Sequence, residues 1–321
     1  MDERGRIAML ARVLGTGAAA GVRVGIGDDA VVLEAAGDGQ IVWTIDEQVE
    51  GVHFRRDLVS DRDVGWRSFM AAASDVAAMG ADPWCALCAL VLPDAVDDTV
   101  LESLASGQRE AADAVGAPVV GGNLSRGPVL SISTTLLGRC ERAVERRGAV
   151  AGDGLWLAGS AGLASAGLLA LKSGAKAPAI DVAVAAWRRP RALVAEGRSM
   201  ARVAHAAIDV SDGLARDAGH VAEASGVCLV LDEERLLAQH DVVAAASALG
   251  ADPLDLALHG GEDYALVAAS PGPIAGFRRI GEVRQGRGLL LRTPSGERPI
   301  EPLGFDHFVT SRSRPPGASG S

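Results

Sequence analysis

The chain has 321 residues, 48% of them hydrophobic, which is enough to bury a substantial core and by length alone suggests two domains. Its 31 basic and 41 acidic residues leave a net charge of -10, which opposes sequence-independent binding to nucleic acid or to an anionic membrane surface. No stretch approaches the roughly 20 apolar residues of a membrane span, and the opening MDERGRIAML has early acids and no apolar signal core, so the expected address is the cytoplasm.

Residues 1–20 carry the pattern of a short amphipathic helix. VRVGIGDDAVVLEA and QIVWTIDEQVEGVHF then read as two strands separated by the turn AAGDGQ. DRDVGWRSFMAAASDVAAMG predicts a helix capped by Asp61 and closed by Gly80, and ADPWCALCALVLP predicts a buried strand. Cys85 and Cys88 form a C-x-x-C inside that strand, but no second pair or histidine cluster accompanies it, so buried free thiols outweigh a metal or redox site. A helix over about 98–116 precedes the strand-turn-strand APVVGGNLSRGPVLSISTTLLG.

The composition changes around RRGAVAGD, which places a boundary near 140–148. An N-terminal α/β domain is expected over 1–140, a C-terminal α/β domain over 141–310, and a disordered tail over 311–321. The second domain carries an Ala/Leu helix after Gly162, the basic helical segment AAWRRPRALVAEGRSMARVA, the strand-like AAIDVSDGL and a helix to Ser225. The strand VCLVLD follows, with short strands after GGEDYALVAA. Within the basic segment, Arg188 to Arg191 read as a solvated helix start.

Acids recur at the ends of these elements: Asp28, Asp29, Asp46, Asp75, Asp209, Asp212, Glu262 and Asp263. Singly, each is explained by a turn or a helix cap. Gathered on strand-end loops, they would repel one another unless cations sat between them, and Mg²⁺ is the hard cation that bridges carboxylates to phosphates. Neither the G-x-x-x-x-G-K-[ST] loop nor the protein-kinase signatures occur. A polyphosphate would therefore be held through metal ions and through backbone N–H groups at the glycine pairs Gly121-Gly122 and Gly260-Gly261.

GIGDDAVVL, TIDEQVEGVHF, ASDVAAMGADP, VGGNLSRGP, RRGAVAGD, IDVSDGLARDAGHVAEASGV, GGEDYAL and GFDHF stand in the order and spacing of one family. Over residues 24–308 the chain resembles the thiamine-monophosphate kinases, within the aminoimidazole ribonucleotide synthetase-like superfamily. The resemblance implies an α+β fold of two domains, with mixed sheets flanked by helices, and a homodimer formed through the first domain. It implies ATP-dependent phosphorylation of thiamine monophosphate to thiamine diphosphate, by direct in-line transfer assisted by Mg²⁺. Carried over by motif, Asp29, Thr44, Asp46, Asp75, Asn123, Asp209 and Asp212 are expected metal ligands, with Asp29, Asp46, Asp75 and Asp212 central to catalysis. Gly122, Asn123, Arg146 and Ser211 are expected at the nucleotide phosphates, and His53, Glu262 and Phe305 at the thiamine portion. Asp28 is expected to be a local structural partner of Asp29.

Three stretches depart from the family pattern. Asn123 replaces an Asp, Ile45 replaces a Thr, and Leu163 and Ala164 replace an Asp and a Ser. All three lower the charge or the ligand count expected around the metals. The alternative reading is a divergent nucleotide-binding member that acts on another phosphorylated acceptor, or a dimeric nucleotide-binding scaffold with weak or no kinase activity.

Overall fold

The computed structural model describes residues 22–24, 28–34 and 39–305, so the helix read over 1–20 and the tail over 311–321 lie outside the described residues. Strands β1 (Val22–Val24), β2 (Val31–Glu34), β3 (Gln40–Val49), β4 (Asp82–Leu92), β5 (Val119–Arg126) and β6 (Ser131–Cys140) form one sheet in the order β1-β2-β3-β6-β4-β5. Only β4 and β5 run parallel. The stretch read as strand-turn-strand is therefore no hairpin, because β4 lies between β5 and β6 and leaves β5 as an edge.

Side-chain alternation gives the sheet two unlike faces. Along β3, Gln40, Val42, Thr44 and Gln48 are buried, whereas Trp43 and Ile45 are 47% and 69% exposed. The buried face is covered by α1 (Asp61–Ala78), with α2 (Asp98–Val115) packed on it. The N-cap of α1 is Ser60 rather than Asp61: its hydroxyl accepts from the Asp63 N–H at 3.2 Å. Gly107 lets the two helices cross closely, since a Cβ there would stand 1.8 Å from the Arg62 carbonyl oxygen.

α1 is buried nearly all round, which explains its run of small residues without a polar stripe. Its far side meets a second sheet, where Ala77 and Ala78 pack with Ala158 and Leu266. That sheet comprises β7 (Gly154–Ala158), β8 (Ala206–Val210), β9 (Cys228–Asp232), β10 (Ala265–Ser270), β11 (Arg278–Arg284), β12 (Gly288–Thr293) and β13 (Gly296–Pro299). Their order is β13-β12-β9-β11-β7-β10-β8, with only β9 and β12 parallel. β8 and β10 are buried throughout, apolar but for Asp209 in β8 and Ser270 at the end of β10.

Around it lie α3 (Leu163–Ser173), α4 (Pro178–Arg188), α5 (Val194–Ala201), α6 (Leu214–Ser225), α7 (Glu233–Leu237), α8 (His240–Leu249) and α9 (Pro253–His259). The basic segment is thus two helices, α4 and α5, broken over 189–193 around Pro190, which has no N–H to continue the ladder. α7, α8 and α9 fill a stretch with no predicted element. The result is two mixed sheets flanked by helices, an α+β fold.

Candidate active site

α1 carries Asp75 in its last turn to the place where both sheets converge. Asp29 arrives at the mouth of β2, and Asp209 from β8 of the second sheet. Carboxylate oxygens of Asp29, Asp75 and Asp209 lie within 4.8 Å of one another. Each is oriented by a neighbour. The Thr44 hydroxyl donates to Asp75 Oδ2 at 2.5 Å, and the Ser74 hydroxyl donates to Asp209 Oδ2 at 2.7 Å. Arg146 donates to Asp29 Oδ1 from Nε at 3.0 Å and also from Nη2. Asp28 accepts from the Asp29 N–H at 2.9 Å and from the Arg146 N–H at 3.1 Å, the structural partner role read from sequence.

Asp75 and Asp209 resist ionisation here. Burial first, then the Asp29 charge, pushes Asp209 up to about 7, and burial with the charges of Asp209, Asp29 and Asp46 holds Asp75 well above the carboxylate range. Asp46 is raised to about 6, by burial and then by Glu262, Asp212 and Glu47, so it links the trio to the next loop. Asp29 Oδ2 is buried with no hydrogen-bond partner. An orphaned carboxylate oxygen facing two more acids, in an all-oxygen donor set, fits a hard divalent cation such as Mg²⁺ held by Asp29, Asp75 and Asp209.

The loop after β8 is fixed by a residue that sequence reading passed over. Asp217, in the first turn of α6, accepts from the N–H groups of Ser211, Asp212 and Gly213, each at 3.1 Å. Two further segments close on this loop. Glu262 N–H donates to Ser211 O at 2.7 Å, and Phe305 N–H donates to Asp212 O at 3.1 Å. Ser211, Asp212, Glu262 and Phe305 are thereby brought together. His53 sits in the turn after β3, where the Val49 N–H donates to its Nδ1 at 3.0 Å and fixes the ring. Asp263 serves the fold instead: it caps α3 by accepting from Gly162 N–H at 2.6 Å and Ala164 N–H at 2.8 Å.

Gly122 and Asn123 are placed elsewhere. They lie on edge strand β5, three strands from β3, which at about 4.8 Å per strand is about 14 Å away. Gly122 has a packing reason to be glycine, because a Cβ there would stand 1.8 Å from Cys88 O.

Two family profiles cover this architecture: the N-terminal domain of AIR synthase related protein matches residues 27–140, and the C-terminal domain of that family matches 150–291. The thiamine-monophosphate kinase of Mycobacterium tuberculosis is 38% identical, over 91% of this chain and 88% of its own length. That of Aquifex aeolicus is 34% identical, over 88% of this chain and 92% of its own. The chain belongs to the thiamine-monophosphate kinase family. A solved structure of AaThiL complexed with AMPPCP and TMP has the same fold, with a TM-score of 0.88 at 32% identity, covering 96% of this chain and 97% of that one.

Set in the kinase family, the three departures acquire positions. Ile45 faces the open side of the first sheet, in one cross-strand row with Thr135 and Leu87, while Thr44 and Asp46 beside it face inward. Its side chain therefore points away from the acid trio. Asn123 lies in the adjacent row, level with Ala89, Ser133 and Glu47. Leu163 is a core residue, packed with Ala166, Ala183, Val242 and Ala245, and Asp263 meets the backbone N–H groups of that turn.

The basic segment is a clamp rather than a solvated helix start. Arg188 donates to Leu58 O at 3.1 Å. Arg189 stacks 4.2 Å from the centre of the Trp66 ring and reaches Asp63 and Glu110 at 3.1 and 2.7 Å. Sequence reading also missed Arg67 and Trp187. The available signal was a lone Arg inside the otherwise apolar run VGWRSFMAAA. The four cysteines are free thiols; Cys88 and Cys228 are buried, whereas Cys85 and Cys140 are only half-buried.

Proposed function

We propose that the protein transfers the terminal phosphoryl group of ATP to the phosphate of thiamine monophosphate, in line and without a covalent enzyme intermediate, giving thiamine diphosphate and ADP. The observation that carries this reading is the Asp29, Asp75 and Asp209 set with its orphaned oxygen, supported by the likeness to AaThiL complexed with AMPPCP and TMP. Mg²⁺ bound there would neutralise phosphate oxygens that otherwise repel each other. Thr44, Ser74 and Arg146 hold the three carboxylates in place, and Asp46 and Asp212 extend the ligand set toward the second loop. Ser211 lies on the loop assigned to the nucleotide phosphates. His53, Glu262 and Phe305 take the thiamine portion, for which the half-exposed Phe305 ring offers an aromatic face to a cationic thiazolium. The acceptor phosphate oxygen is already nucleophilic, so the residues have only to position it.

In this reading residues 1–140 carry the metal site and residues 141–310 complete it, and the enzyme is a homodimer working in the cytoplasm beside its ATP supply. A second copy of the chain is the occupant of the open sheet face, on which Trp43, Ile45 and Leu87 are exposed, bordered by the edge of β5, which is unpaired among the described residues. That pairing is also how Gly122 and Asn123, remote from the acids of their own protomer, come to serve a nucleotide.

Incubation with Mg²⁺, ATP and thiamine monophosphate is expected to yield thiamine diphosphate and ADP in equal amounts. Protein that binds ATP yet makes no thiamine diphosphate at any Mg²⁺ concentration belongs to the second reading, a divergent nucleotide-binding member. Asn123, an amide in place of a carboxylate, is the observation that favours it.

A further inference from the structure

Arg67 projects from α1 and is buried to 1% exposure, an expensive place for a guanidinium. Its Nη1 donates to Trp187 O, its Nη2 to Glu262 Oε1, and its plane lies 4.5 Å from the centre of the Trp187 ring. Trp187, also 1% exposed, donates from Nε1 to the other oxygen of Glu262, Oε2, at 2.7 Å. Both oxygens of Glu262 are thus gripped from inside the protein, while 26% of its side chain stays exposed at the site. The backbone is equally constrained. Glu262 has φ of +66°, Tyr264 has φ of +51°, and their N–H groups are tied to Ser211 O and Val210 O. Side-chain-bearing residues keep such left-handed angles only where the surroundings over-determine them.

A buried ion pair contributes little to stability that well-packed apolar residues would not match. This one joins the first sheet's helix to the loop that carries the assigned thiamine contact. We propose that Arg67 and Trp187 are positioning residues that fix Glu262 for the acceptor substrate, and that Glu262 acts there as a charge-compensated hydrogen-bond acceptor rather than as a counter-ion. The proposal rests on the kinase reading above. Because Arg67 already balances the carboxylate charge, what Glu262 offers a ligand is the directional lone pairs on its exposed edge. Thiamine monophosphate has one N–H donor group, the amino group of its pyrimidine. Glu262 therefore reads that amino group, and discriminates against an acceptor that carries oxygen in its place.

The test compares steady-state kinetics with thiamine monophosphate and with oxythiamine monophosphate, whose pyrimidine bears an oxo group. Wild-type enzyme is expected to prefer the amino acceptor. Trp187→Phe keeps the ring over Arg67 and removes one hydrogen bond to a charged group, so the KM for thiamine monophosphate should rise about tenfold. With kcat and the KM for ATP staying within about twofold, the preference over the oxo acceptor should collapse. Glu262→Gln, at a partly exposed position, should lose the same preference and serves if Trp187→Phe folds poorly. A lowered melting temperature with the preference intact in both variants would make the cluster a structural tie and overturn the proposal. Equal use of both acceptors by wild-type enzyme overturns the amino contact. Turnover of neither acceptor by wild-type protein sinks the kinase reading instead.

Discussion

Asp217 places one carboxylate oxygen against three successive backbone N–H groups, and this shapes the loop that presents Ser211 and Asp212. Asp217→Asn puts an amide, with two N–H donors of its own to satisfy, where that shared acceptor stood, and should loosen the loop without removing a ligand. The Mg²⁺ concentration for half-maximal rate is expected to rise severalfold; a loss of melting temperature with an unchanged Mg²⁺ requirement would limit Asp217 to folding. Asp75→Asn goes further and should suppress nucleotide binding in Mg²⁺, measured by calorimetry, whereas unaltered affinity would remove Asp75 from the ligand set. The raised acids also make a pH prediction. Asp209 at about 7, and Asp28 and Asp46 at about 6, bind protons more tightly folded than unfolded, where Asp titrates near 3.8. Their contribution to stability is therefore fully present below about pH 4 and is lost as pH rises toward 7. The melting temperature of metal-free protein should fall between pH 5 and 7.5, and Mg²⁺ should flatten that fall. Some slope should persist with Mg²⁺, because Asp263, also raised to about 7 by burial, caps α3 away from the trio. A metal-free melting temperature that climbs over this window would contradict the assignment.

α1 organises the site because it packs against both sheets, delivering Asp75 to the trio and Arg67 to Glu262. Its crossing with α2 sets its height. At Gly107 an added Cβ would collide with backbone, which cannot swing aside as a side chain can. Gly107→Ala should cost about 1–3 kcal/mol, read by urea unfolding, and lower activity in the fraction that remains folded. An unchanged midpoint would show that the helices part without penalty. The long elements were legible because their patterns repeat over many residues: α1 and α2 fell within two residues of their predicted ends. The acids Asp29, Asp75 and Asp209 were legible because several carboxylates in one protein's loops have few structural uses together. What escaped was non-local. The place of β6 between β3 and β4 depends on pairings across the sheet, and α7 to α9 are short helices whose existence rests on packing. Arg67 looked like any polar interruption of a helix until Trp187 and Glu262 were folded onto it.

At the scale of the molecule, the first sheet is left half-covered among the described residues. Helices bury one face, and the other shows Trp43, Ile45 and Leu87 at 47%, 69% and 47% exposure, an arrangement costly in water for an isolated chain. The same face holds Asn123 and the Glu47 carboxylate, which accepts from Ser131 and Ser133 at 2.6 and 3.3 Å. Two of the three departures from the family pattern, Ile45 and Asn123, thus fall on the face that a second copy would cover. If the dimer completes the nucleotide site, association and catalysis should fail together. Leu87→Glu sets a charge at the centre of the open face, one strand from Asn123 and far from the acids of its own protomer. In sedimentation velocity the wild-type protein should run as a dimer and Leu87→Glu as a monomer with an unchanged melting transition by circular dichroism. Its rate of thiamine diphosphate formation should drop by more than tenfold, on the scale of losing one group that stabilises transferring charge. Monomeric Leu87→Glu with full activity would place Gly122 and Asn123 outside the reaction, and a wild-type monomer would remove the dimer itself. Asn123→Asp supplies the complementary measurement. A carboxylate restored at that edge should lower the Mg²⁺ requirement in the dimer and leave it unmoved in the Leu87→Glu background, because only association brings that strand to a neighbouring acid cluster.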